Sequence, residues 1–145
     1  MSTEILTEDL LKRLLDAQTP EEYLDQGETL DRQLSDYLHA LLDERDGMTR
    51  ADVYRAAKLN PTFVYDMFQG KCLPKRDNAI MLAFGLRCNL RETQRLLRLA
   101  GVSELWPKNR RDAIILWCVE QGRNLDECDE ELWRLGEKTL FDSEK

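Results

Sequence analysis

Apolar residues return along this chain at intervals of three and four, and no stretch alternates strictly or gathers β-branched and aromatic residues, so the pattern predicts helices and no strands. Thr7 opens a segment with Leu10, Leu11, Leu14 and Leu15 at helical spacing. Pro20, followed by Glu21 and Glu22, starts a shorter turn that ends near Gly27. From Thr29 the stripe Leu30, Leu34, Tyr37, Leu38, Leu41 and Leu42 predicts one continuous helix that stops at Gly47. His39 sits one position off that stripe, which suits a surface or core-edge residue better than a catalytic base.

Thr49 with Asp52 three residues later forms a capping-box pattern, so a second helix should run to about Lys58 and bury Val53, Ala56 and Ala57. Asn60 and Pro61 start a third helix, because Asn caps free amides and proline needs no donor at the first helical position. That helix ends at Gly70. Its angular positions turn Val64, Met67 and Phe68 to the core and leave Thr62, Tyr65, Asp66 and Gln69 pointing outward. Two short helices joined by about three residues have the spacing of a helix-turn-helix unit.

Pro74 interrupts a basic loop, Lys71 to Arg76, and a fourth helix follows with Ile80, Leu82, Ala83, Phe84 and Leu86. Asn89 with Glu92 makes another capping box, and Leu90, Leu96, Leu97 and Leu99 carry a fifth helix to Gly101, with Arg91, Arg95 and Arg98 on its polar side. After Pro107, Ala113–Val119 and Leu125–Leu135 read as a helical hairpin broken at Gly122 and closed by Gly136. The expected architecture is all-α. Residues 1–27 form an acidic N-terminal helical arm, 28–101 a five-helix domain, and 102–145 a C-terminal helical hairpin packing on it.

Composition narrows the class. A chain of 145 residues with 42% hydrophobic content can build one core. No stretch approaches the roughly 18 apolar residues of a membrane span, and the acidic amino terminus has no secretory pattern, so the expected location is the cytoplasm with no membrane partner. Cys72, Cys88, Cys118 and Cys128 are widely spaced with a single histidine, which argues against a metal site and for reduced, mostly buried thiols. The net charge of −7 hides an asymmetry: Gly47 to Arg111 holds thirteen Lys and Arg against five Asp and Glu, between two acidic ends. Such a basic middle marks a local anion-binding surface, unless the acidic ends fold over it.

Over Leu34 to Gly101 the sequence LSDYLHALLDERDGMTRADVYRAAKLNPTFVYDMFQGKCLPKRDNAIMLAFGLRCNLRETQRLLRLAG resembles the repressor-like helix-turn-helix family of the Cro, phage-repressor and xenobiotic-response-element type. The resemblance rests on Gly47 before the second helix, the Thr49 cap, the pair Val53 and Ala57, Leu59 in the turn, and the ending Phe68, Gly70, Lys71 and Pro74. The stretch WPKNRRDAIILWCVEQGRNLDECDEELWRLGEKTL and the acidic arm resemble a bacterial subgroup that carries the same C-terminal hairpin.

The resemblance implies a sequence-specific transcriptional regulator whose third helix enters the major groove of double-stranded DNA. Thr49 and Arg50 would meet the phosphate backbone, Thr62, Tyr65, Asp66 and Gln69 would face base edges, and Lys71, Lys75 and Arg76 would grip phosphates. Gln69 suits adenine and Asp66 suits the cytosine amine. The chain also departs from the family, which commonly places Gln at the start of the second helix and Arg or Lys on the third, where this sequence has Arg50, Pro61 and Asp66.

A single small module buries little surface on DNA, so a homodimer is expected, with Trp117, Leu132 and Trp133 of the hairpin as its interface unless the hairpin serves only its own core. The competing reading keeps the scaffold and turns it into an adaptor or inhibitor that binds a protein partner, as the acidic ends and Asp66 suggest. An enzyme is not expected: there is no Gly-rich phosphate loop and no nucleophile elbow, and pairs such as Glu21 with Glu22 or Glu130 with Glu131 do not face one another. No catalytic residue and no cofactor are implied.

Overall fold

A computed structural model of the protein describes residues 7–25 and 30–141, with side chains placed except at Thr7, Leu30 and Asp31. Gly27, Thr29 and the side chain of Leu30, used above, lie outside the described residues. Among these residues the chain is all-helical, with α1 (Thr7–Asp16), α2 (Pro20–Leu24), α3 (Leu30–Asp43), α4 (Arg50–Ala57), α5 (Pro61–Phe68), α6 (Arg76–Gly85), α7 (Leu90–Leu99), α8 (Arg110–Glu120) and α9 (Leu125–Arg134). None of the described helices is long and apolar enough to cross a membrane.

Local chemistry sets most of the boundaries. Thr49 and Asp52 form a complete capping box at α4, as do Asn89 with Glu92 at α7 and Asn124 with Glu127 at α9. Asn60 caps α5 through both Thr62 and Phe63 amides, with Pro61 in the first turn. Lys58 ends α4 in the left-handed region at φ 55°, a conformation that costs a side-chain-bearing residue some strain. It allows only three residues between α4 and α5.

α6 is the spine of the molecule. Ala79, Ile80, Met81, Leu82, Ala83 and Gly85 are all buried, so this helix is covered nearly all round. α4 packs on it through Val53 and Ala57, at a crossing so close that a Cβ on Gly85 would lie 2.6 Å from the Val53 carbonyl oxygen and 2.7 Å from the Ala57 Cβ. Ala56, expected in the core, is instead exposed. Helical rotation turns it away from the Val53 and Ala57 face, toward an open cleft it shares with Arg55 and Arg87.

Leu34, Leu38 and Leu41 of α3, Phe68 of α5, Leu96 and Leu97 of α7, Ile115 of α8 and Leu132 of α9 belong to one continuous core. The hairpin α8–α9 therefore completes the interior of its own chain. Leu132 is wholly buried, which removes it from the interface expected of it, whereas Trp117 and Trp133 are exposed. The four cysteines are free thiols, and burial pushes the Cys88 thiol up to about 12.

Two crossed ion pairs fasten the hairpin. At the start of α6, Arg76 meets Asp112 and Asp77 meets Arg111, so an Arg-Asp dipeptide on α6 faces an Arg-Asp dipeptide on α8 head to tail, each cation opposite an anion. Farther along, Asp129 accepts the Leu140 and Phe141 amides at 2.7 and 3.0 Å and holds the tail against α9. Lys58 pairs with Asp126 and lies over the Phe141 ring, tying the α4–α5 turn to that end of the molecule. α1 packs against α2 and keeps Leu11, Leu14 and Leu15 exposed.

Candidate nucleic-acid interface

The site is built on the angle between α4 and α5. Thr49 accepts the Asp52 amide and Asp52 accepts the Thr49 amide, so the Thr49 side chain is consumed within the cap. The hydrogen bond from the Thr49 amide, followed by that from its hydroxyl, holds the Asp52 carboxyl below its ordinary range. The amides of Arg50 and Ala51 have no intrahelical partner in this geometry, and they form the donor end of α4.

Arg50 does not extend into solvent. Its guanidinium lies 5.8 Å from the Tyr65 ring centre and 5.4 Å from that of Phe68, and its buried Nε has no hydrogen-bond partner. The aromatic faces offset part of that desolvation. Tyr54 pairs with Tyr65 at 6.3 Å, so the exposed Tyr65 is held between α4 and its own helix. Arg50 thus joins the start of α4 to the outer face of α5.

That outer face carries Thr62, Tyr65 and Gln69, three exposed residues at helical spacing. Asp66 is half-buried, and its charge adds to burial in raising the Cys72 thiol. The far end of α5 is anchored by α3. His39 Nε2 donates to the Phe68 carbonyl at 2.8 Å, Ser35 donates to the same oxygen, and the His39 ring meets Phe68 edge-on at 5.2 Å. The single histidine is therefore a half-buried clamp on a helix-end carbonyl. Only its position at the edge of the α3 stripe hinted at this, since its partner lies 29 residues away.

Lys71, just past the end of α5, and Lys75, at the start of α6, are exposed. Arg76 is a different case from the phosphate-gripping residue that the resemblance implies. It donates twice to Asp112 at 2.9 and 2.7 Å, and to the carbonyls of Ser103 and Glu104 at 3.0 and 2.8 Å. Four of its five N–H donors are spent inside the chain, and the hydrogen bond to Asp112 raises its basicity further. Burial opposes ionisation of Asp112, yet the bonds from Arg76 and from the Trp106 amide keep its carboxyl below the ordinary value. Of the cations assigned to phosphates, the described structure leaves Lys71 and Lys75 exposed and sets Arg50 in an aromatic stack.

Among the described residues no three His, Cys, Asp or Glu side chains gather into a possible metal site. No family model matches the chain, and no curated protein or solved structure matches it significantly.

Proposed function

We propose that the protein is a sequence-specific DNA-binding regulator of the repressor-like helix-turn-helix type, with α5 as the helix that enters the major groove. The observation that carries this reading is the outer face of α5, where Thr62, Tyr65 and Gln69 stand exposed, followed in the chain by the exposed Lys71 and Lys75. A helix of eight residues set three residues after another is short enough to lie across a groove with its neighbour over the backbone. In this arrangement the amides of Arg50 and Ala51 and the two lysines hold phosphates, and Gln69 pairs with adenine. Arg50, stacked on Tyr65, fixes the reading face instead of reaching for a phosphate of its own.

The test is selection from a pool of random duplex DNA at several salt concentrations, comparing the natural chain with Lys71→Glu/Lys75→Glu. An enriched motif, bound with an affinity that falls as salt rises and weakened in the double variant, supports the reading. Absence of any salt-dependent binding at low ionic strength sinks it.

A protein-binding adaptor on the same scaffold is the second reading, and two observations favour it. Asp66 sets a carboxylate on the face meant for a polyanion, and the C-terminal hairpin takes Arg76 away from that face through Asp112. Enrichment of a protein and of no DNA motif would decide for it.

A further inference from the structure

Left-handed backbone costs a residue with a side chain strain that glycine escapes. Among the described residues seven positions have positive φ, and five of them are glycines. Lys58 is an exception, at φ 55° and ψ 38° in the three-residue turn between α4 and α5. What a lysine adds there is its ammonium. That group pairs with Asp126 in the first turn of α9 and lies 4.8 Å from the centre of the Phe141 ring. The turn that leads into α5 is therefore held from the C-terminal side of the molecule.

Phe141 is itself fixed. From Lys138 to Phe141 the chain is not helical, and two side chains hold its backbone at four points. Arg111 donates to the Lys138 and Thr139 carbonyls at 2.9 and 3.3 Å, and Asp129 accepts the Leu140 and Phe141 amides. The Thr139 hydroxyl donates to the Phe141 carbonyl at 3.0 Å, which tightens the segment, and Leu140 is sunk in the core. The same Arg111 guanidinium grips Asp77 in the first turn of α6. One four-residue segment thus reaches the turn before α5 through Lys58 and the helix after it through Arg111. Since α5 also packs on α3 and α4, these contacts bear on how it is seated and not on whether it forms.

We propose that residues 138–141 are a strap that fixes the seating of α5, with Lys58 as the link, so that releasing the strap loosens the start of α5 while the core stays folded. Stability is not uniform within a fold, and a short helix entered through a strained turn belongs to its weaker end. The proposal stands apart from the DNA reading, because the strap governs the same helix whether or not α5 meets DNA.

Amide hydrogen exchange on the full chain tests it. Lys58→Gly cuts the link but relieves the left-handed turn, so it should not lower the melting temperature. The hydrogen-bonded amides of Leu59, Thr62, Phe63 and Val64 should nevertheless exchange at least about fivefold faster than in the natural chain, while those of α7 keep their rates. Phe141→Ala and Asp129→Ala, which act on the strap and leave Lys58 in place, should give the same local pattern. Lys58→Gly/Phe141→Ala should add nothing to the larger single effect, since both changes break one contact. Natural rates at these four amides in all three single variants overturn the proposal. Rates that rise equally in α7 report loss of the whole fold and overturn it as well, and a double variant whose effects add in full overturns Lys58 as the link.

Discussion

Lys75 and Arg76 are neighbours in the chain, both cationic, and at the sequence level both belong to one basic loop. Lys75 is exposed at the start of α6, whereas Arg76 turns into the junction with α8 and spends its guanidinium on Asp112 and two carbonyls. One residue separates a cation free to meet a phosphate backbone from one that holds the molecule together. The basic middle of the chain is therefore two regions with different work: a face around α5 that is open, and a clamp between α6 and α8 that is internally neutralised. Counting charge along the sequence joins them, and the three-dimensional pairing divides them.

Removing Asp112 should have the largest effect on the clamp. An Asp112→Ala variant leaves Arg76 partly buried without its carboxylate, and we expect a loss of about 3 kcal/mol in urea denaturation. A loss under about 1 kcal/mol would place Arg76 back among the surface cations. Acid sharpens the same point. The Asp112 carboxyl lies below its ordinary 3.8 in the folded chain, so it binds its proton less readily than in the unfolded one. Its stabilisation is complete above that value and is lost as pH falls further, toward the depressed native pKa. The stability gap between the natural chain and Asp112→Asn should accordingly narrow below about pH 4.

The next effect concerns the frame that both regions share. Gly85→Ala drives a Cβ against the Val53 carbonyl and the Ala57 side chain, where α4 crosses α6. The expected cost is about 2 kcal/mol, read as a lowered denaturation midpoint. A neutral result would mean that α4 is less closely seated than the structure has it. Smaller still is Thr49→Ala, which removes one arm of the α4 cap for about 1 kcal/mol and leaves the α8 clamp untouched.

What the sequence made legible follows from the range of the interactions. The helix starts at Thr49, Asn60 and Asn89 were readable because a cap and its partner lie within three residues. Helical rotation alone divides α5 into a core face of Val64, Met67 and Phe68 and an outer face of Thr62, Tyr65, Asp66 and Gln69, of which the structure exposes all but the half-buried Asp66. Arg76 and Asp112 are 36 residues apart, and nothing local distinguishes that arginine from Lys75. The same distance problem hid the His39 clamp on Phe68 and the seating of Leu140 and Phe141 on Asp129. Leu132 was misplaced because a helix with apolar residues at one side and a large tryptophan at another has two plausible buried faces, and the core took the leucine.

In the function proposed, the open face around α5 meets DNA and the clamp between α6 and α8 does not. The most direct test is the salt dependence of binding to an enriched duplex, measured for the natural chain and for Lys71→Glu/Lys75→Glu. Removing two phosphate contacts should flatten the slope of log affinity against log salt by about 2, with stability changed by less than about 0.5 kcal/mol. A double variant that binds with the natural slope, or a natural chain that binds no duplex at low salt, would rule out DNA contact through these lysines.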